Sequence, residues 1–238
     1  MLWLIKVTLK QATIIVLVQY SLQSLRSVGI VAEVKMMNLK RWLQLMGRLG
    51  IAPNEDTHQA LFTAYSEKHR RYHTAAHINA TLKHLDTVTD LANNACEIEI
   101  ALWFHDAIYK PFSASNELDS AVWASTFLSD NGVAKERIDR VYNLIMATVH
   151  TAETAGNDQL LMVDIDLSIL GTKSTVYDQF EKDVRYEYKR VPYFLYRKKR
   201  KEILTSFLER DRIYRYDFFH SKLEEQARVN LSNAIEVL

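Results

Sequence analysis

Apolar residues recur every three or four positions along most of this chain, which is the period of a helix with one buried face. Leu39, Trp42, Leu43, Met46 and Leu49 set the pattern, and Gly50 and Pro53 stop it. The spacing predicts further helices over 55–67 and 74–91, the latter with Ile78, Leu82, Leu85 and Val88 on one face. Asn94 followed by Glu97 reads as a capping box opening the next helix. That helix, 96–108, is apolar nearly all round (Ile98, Ile100, Ala101, Leu102, Trp103, Phe104), so it is expected to be central and buried, with Pro111 ending it. Helices are also expected over 116–128, 135–149, 159–170 (stopped by Gly171), 174–189, 193–209 and 221–237.

Composition supports this reading. Six Gly and three Pro in 238 residues leave little turn chemistry for a many-stranded sheet. The expected fold is all-α, a single helical bundle over 38–238. Residues 1–37 read differently. Their apolar run Ala12–Val18 is far shorter than the roughly 20 residues of a spanning helix. The segment is expected to be an appended one, disordered or translated from a start upstream of the natural one, with no stable membrane insertion. Lys plus Arg is 30 against 29 Asp plus Glu, so bulk charge gives no reason to expect nucleic acid or an acidic membrane as a partner. A single cysteine, Cys96, excludes an intramolecular disulfide and a cysteine-rich zinc site. It fits a reducing compartment, and a cytoplasmic location is the expectation.

Three short segments carry candidate chemistry. His105-Asp106 closes the most apolar helix, where an ionisable pair is costly unless it is paired or binds a metal. His73 and His77 stand at i and i+4, placing two imidazoles on one helix face. Asp164 and Asp166 alternate with Val163, Ile165 and Leu167. Taken singly, each is an ordinary helix-end or helix-surface feature; their order along the chain is what distinguishes them.

That order, His then His-Asp then Asp, resembles the signature of the HD superfamily of metal-dependent phosphohydrolases. YHTAAHI at 72–78, FHD at 104–106 and DLS at 166–168 are similar to runs in cyclic-nucleotide phosphodiesterases. The chain resembles more closely a bacterial group described as predicted metal-dependent HD phosphohydrolases. Shared patterns are EKHRRYHTAAHI, ALWFHDAIY followed by SNE, ATVH, DIDLSILG, VRYEY at 184–188, ERDRIY and EEQARVNL. The resemblance covers about residues 38 to 238.

It implies an HD-type helical domain holding a divalent ion (Mn, Fe, Mg, Co or Zn) through His77, His105, Asp106 and Asp166. Such an ion turns a bound water into a nucleophile and offsets phosphoryl charge. Asp106 thereby counts as catalytic as well as a ligand. By analogy with the phosphodiesterases, His73 is the proton donor to the leaving group. Asp164 is the alternative to Asp166, and His150 is a possible further metal or phosphate contact. The phosphodiesterases carry another His after Phe-His-Asp; here Ala107, Ile108 and Tyr109 follow, and the resemblance does not extend to a second metal or to cyclic-nucleotide hydrolysis. Arg70, Arg71, Asn116, Glu117, Arg185 and Lys189 lie in the shared segments and are candidates for substrate binding, since Arg forks suit phosphate. The run 197–201 (RKKRK) is expected to be the solvated face of an amphipathic helix, and Tyr214–Phe219 a packed loop.

The expected activity is hydrolysis of a phosphate ester or phosphoanhydride in a nucleotide-like small molecule. Two other readings use the same residues: an HD-fold diiron oxygenase, and a non-catalytic module that binds a nucleotide.

Overall fold

The structure is a computed structural model that describes residues 39–149 and 156–238. The chain divides into two compact units, 1–44 and 45–238. In the first, the described residues 39–44 are helical. They open α1, residues 39–49, whose last turn belongs to the second unit. The rest comprises α2 (Glu55–Ala64), α3 (Ala75–Val88), α4 (Ala95–Phe104), α5 (Asn116–Asp130), α6 (Lys135–Ala147) and α7 (Asn157–Asp166), then α8 (Ser174–Glu187), α9 (Tyr193–Leu208) and α10 (Asp217–Val237). Short 3-10 turns follow α3 (Thr89–Leu91) and α7 (Leu167–Gly171). The described residues contain no strand, so the all-α expectation holds. No helix among them is long and apolar enough to cross a membrane. The expected appended segment 1–37 and His150 lie outside the described residues.

As its composition predicts, α4 is central. Ile98, Ile100, Ala101, Leu102 and Phe104 are all fully buried. Removing the isoleucine, leucine and phenylalanine side chains from water stabilises the fold by about 1.5–3 kcal/mol each, before chain entropy is counted. The helix packs against α3, α5, α6 and α7. Two carboxylates are buried with it. Glu97 is held by Arg137 (3.1 Å) and Arg140 (2.7 Å) from α6, and Glu99 by Arg48 from α1. Each is paired with guanidinium, the condition under which buried charge is tolerated. The capping box expected at Asn94 does not form, because Glu97 is drawn to the two arginines. Asp158 takes the Asn93 and Asn94 backbone N–H groups instead (2.7 and 2.8 Å).

Several helices are shorter than their apolar pattern. The central helix ends at Phe104, well before Pro111. Just before this end the Leu102 carbonyl lies 2.9 Å from the His105 ring nitrogen and the Trp103 carbonyl accepts the Tyr65 hydroxyl at 3.0 Å, so side chains compete for acceptors that propagation beyond His105 would use. The predicted 159–170 helix begins earlier, at Asn157, and tightens to a 3-10 turn after Asp166. Gly171 ends that turn where α10 crosses it: a Cβ there would stand 2.6 Å from the Leu223 carbonyl oxygen.

Candidate metal centre

Three helix ends converge on the site: the start of α3 and the C-terminal ends of α4 and α7, three helices that pack against one another. A helix C-terminus carries partial negative charge, so two of the three ends favour a cation. His77 lies in the first turn of α3, which Thr74 caps by accepting the Ala76 N–H. His105 and Asp106 follow α4 directly, and Asp166 is the last residue of α7.

The four side chains point at one volume. His77 Nε2 lies 3.1 Å from His105 Nε2, 3.4 Å from Asp106 Oδ2 and 3.2 Å from Asp166 Oδ1. His105 Nε2 lies 3.1 Å from Asp106 Oδ2 and 3.5 Å from Asp166 Oδ1. Ligands held at about 2.1 Å from a common ion stand about 3.0 Å apart at octahedral edges and about 3.4 Å apart at tetrahedral ones. The observed separations fall in this range. The tautomer of His105 points the same way. Its Nδ1 sits 2.9 Å from the Leu102 carbonyl oxygen, which can only accept, so the proton is on Nδ1. In the neutral ring that leaves the Nε2 lone pair facing a second imidazole nitrogen and two carboxylate oxygens. A proton can bridge one such pair; a divalent cation satisfies all four donors together. The group His77, His105 and Asp166 can therefore hold a metal ion, and Asp106 has the reach to join it.

Electrostatics concentrate here. Burial opposes ionisation of Asp106, but the imidazoles of His105, His73 and His77 overcome it and hold the carboxyl below the usual aspartate range. Burial likewise disfavours the His105 imidazolium, yet Asp106 and Asp166 raise its pKa well above the ordinary value.

Glu187 is the residue whose role the sequence does not announce. It sits at the end of α8, 5% exposed. One oxygen accepts the consecutive N–H groups of Arg71 (2.6 Å), Tyr72 (2.9 Å) and His73 (3.1 Å). The other lies 2.7 Å from His73 Nδ1 and 2.9 Å from the Tyr109 hydroxyl. Burial alone would raise its pKa; the His73 ring and the backbone donors hold it down at about 2. The carboxylate therefore accepts from Nδ1–H of His73 and leaves Nε2 outside this bond; the His73 and His77 ring centroids are 6.2 Å apart. Tyr109 stacks on His73 at 4.1 Å. Burial lowers the His73 pKa, but Asp106 and Glu187 more than compensate, and the ring holds its proton above the ordinary imidazole range. His73 stands before α3 rather than on its face, because Thr74 takes the cap position. The one-turn spacing still brings the two rings together.

Asp164 does not join the cluster. It is fully buried and accepts the N–H groups of Arg215 (3.0 Å) and Tyr216 (2.8 Å), on the opposite side of α7 from Asp166. Burial lifts its pKa to about 6 against the opposing pull of those N–H donors. It is neither a surface acid nor a ligand.

The substrate candidates divide. Arg70 is an internal clamp: its guanidinium is fully buried and donates to Glu67, His73 O, Asp106 O and Ala107 O. Arg185 donates to the carbonyls of Tyr188 (2.6 Å) and Val191 (3.3 Å), capping the end of α8. Asn116 braces the backbone of Lys110 through both halves of its amide. These three have their polar groups engaged within the fold. Lys189 lies beyond α8 with its Nζ 3.8 Å from the Tyr186 ring centroid, so it does not share a helix face with Arg185. Arg71 covers the same ring at 4.5 Å and remains exposed. Glu117, in the first turn of α5, is close enough to Tyr188 to help raise its phenol pKa, after burial.

Comparison with protein-family models, with curated proteins and with solved structures found no match to this chain.

Proposed function

We propose that this chain is a metal-dependent phosphohydrolase of the HD type, cleaving a phosphate ester or phosphoanhydride in a nucleotide-like small molecule. The observation that carries the reading is the pairing of two units in one place. A His-His-Asp group able to hold a metal, with Asp106 beside it, lies against an imidazole whose far nitrogen is locked on a buried carboxylate. His77, His105, Asp106 and Asp166 would hold a divalent ion, which supplies Lewis-acid stabilisation of phosphoryl charge and an activated water.

The remaining work falls to this chain's own groups. Glu187 fixes the His73 tautomer and keeps a proton on the ring. His73 Nε2 delivers that proton to the departing oxygen, as a positioned general acid does. Tyr109 holds the ring plane by stacking on it and by its own bond to Glu187. Arg70 keeps the His73 and Asp106 backbones in register, so the donor and the ligands stay at a fixed separation.

The test is elemental analysis of untagged protein beside His105→Ala and Asp106→Ala variants, then a nucleotide-phosphate screen with the metal found. One ion per chain, lost with turnover in both variants, supports the reading. Undiminished phosphate release by metal-free variants overturns it. Two irons per chain with oxygen-dependent turnover would replace it by an oxygenase, and tight nucleotide binding without product by a binding module.

A further inference from the structure

The outer side of α9 carries exposed apolar side chains and cations together. Tyr196, Arg200, Leu204 and Phe207 form its inward face, with Arg200 paired to Glu181 at 2.6 Å. Leu195 and Ile203 are 48% and 37% exposed. In the first turn Tyr193 is 53% exposed and Phe194 70%. Lys198 and Lys199 follow Phe194 and Leu195 at i+4, so an apolar tip is succeeded on the same outward face by a cationic turn. Lys189 and Arg190 flank the tip on its other side, both exposed. No acidic residue occurs from Lys189 to Lys201. Lys199 reaches Glu202 at 3.3 Å in an exposed pair, and exposed pairs contribute little.

We propose that this face docks on an anionic lipid bilayer, the Tyr193–Leu195 tip entering the interface while the flanking cations meet lipid phosphates. The chemistry favours this occupant. Adjacent exposed aromatic and aliphatic side chains gain by leaving water, and a tyrosine suits the headgroup boundary. The cations around them complement anionic headgroups. Nucleic acid would satisfy the cations but leave Leu195 and Ile203 against phosphates or water; with a net charge of only +1, attraction to either polyanion is local to this face, and the apolar tip is what favours the bilayer. The docking is peripheral, and it stands independently of the phosphohydrolase reading.

The experiment is co-sedimentation of the full chain with vesicles of phosphatidylcholine alone and of phosphatidylcholine with phosphatidylserine. Two double variants are carried in parallel, Arg197→Glu with Lys198→Glu and Phe194→Ser with Leu195→Ser. All four positions are exposed, so melting temperatures should match the parent. The parent is expected to pellet only with phosphatidylserine vesicles and to be released by high salt. Each cation near such a surface multiplies partitioning about five-fold, so the charge reversal should weaken it about 25-fold or more. The serine pair should weaken it at unchanged charge. Equal binding to both vesicle types, no binding, or binding unaffected by either variant overturns the proposal. So does loss of binding to a duplex RNA probe in the charge-reversed variant while vesicle binding persists.

Discussion

Replacing Glu187 separates its two tasks, because its two oxygens serve different partners. One accepts three consecutive backbone N–H groups, and the other accepts from His73 Nδ1 and the Tyr109 hydroxyl. In Glu187→Ala all five donors lose their acceptor in a site where this carboxylate is 5% exposed. A stranded buried donor costs about 1–3 kcal/mol, and water entering the space left by the side chain will satisfy some of the five. A net loss of about 3–5 kcal/mol follows, the range measured when one partner of a buried charged pair is removed. For a chain of this size that corresponds to a melting temperature lowered by about 6–20 °C. Glu187→Gln keeps one acceptor oxygen for the backbone but presents an amide N–H₂ to His73 Nδ1. The fold should survive with a loss of about 1–2 kcal/mol. The ring should switch to the tautomer protonated on Nε2 and lose its support for the charged form, and turnover should fall about 10²–10⁴-fold.

Two assays need no known substrate: thermal or urea unfolding, and ¹⁵N-detected NMR of the His73 ring, which distinguishes its tautomers. The pH dependence follows from sign. Glu187 titrates at about 2 in the folded chain against an ordinary value of 4.5. A depressed carboxyl stabilises the fold above the unfolded value, and that contribution is lost as pH falls from about 4.5 toward 2. The difference is on the order of 3 kcal/mol, and it includes the His73 interaction seen from the other partner, which is not counted twice. The stability curve of Glu187→Gln should therefore be flatter than the parent's in that window. An alanine variant as stable as the parent, or a glutamine variant with the parent's His73 spectrum and acid profile, would refute this account of the pair.

The two aspartates of α7 should behave oppositely. Asp166→Ala is expected to reduce metal binding at least ten-fold in calorimetry with Mn²⁺ while changing the melting temperature of metal-free protein little. Asp164→Ala is expected to bind the metal as the parent does but to unfold about 2–4 kcal/mol more easily, because the Arg215 and Tyr216 N–H groups lose their acceptor. Exchange of the two phenotypes would show that the wrong carboxylate faces the ion. Gly171→Ala places a methyl 2.5 Å from Leu223 Cβ and 2.6 Å from its carbonyl oxygen, so α10 must shift; a loss of about 1–3 kcal/mol is expected in urea unfolding, and an unchanged midpoint would mean that the helix yields without cost.

Which of these features can be read in the sequence depends on whether their cause is local. The helices and the central place of α4 follow from periodicity and apolar content; the candidate ligands are chosen from the unusual ionisable groups beside apolar runs by the order that the family resemblance implies. Helix ends are harder, since an acceptor at the end of α4, the Trp103 carbonyl, is taken by the hydroxyl of Tyr65, far away in the chain. No window around Trp103 contains that information. The same holds for the capping box at Asn94, undone by arginines from α6. Asp164 and Asp166 look alike in sequence, both flanked by apolar residues. What separates them is that the segment at Arg215–Tyr216 offers two N–H groups to one and not to the other.

Arginines in the shared segments show why type and spacing overstate ligand contacts. A guanidinium matches phosphate because it presents several donors in a plane, and the same plane matches backbone carbonyls that a helix end leaves unsatisfied. Arg70 and Arg185 both stand beside such ends, one after α4 and one after α8, and both are consumed there. The carboxylate Glu187 does the converse for the N–H groups that precede α3. The candidate centre is thus built from helix ends whose loose backbone groups are tied by buried charged side chains. A set of ligands drawn from three helices keeps its spacing only while those ties hold. A charge-conserving change at a tie, such as Arg70→Lys, loses the fork and should disturb the centre more than its distance from the ligand atoms suggests.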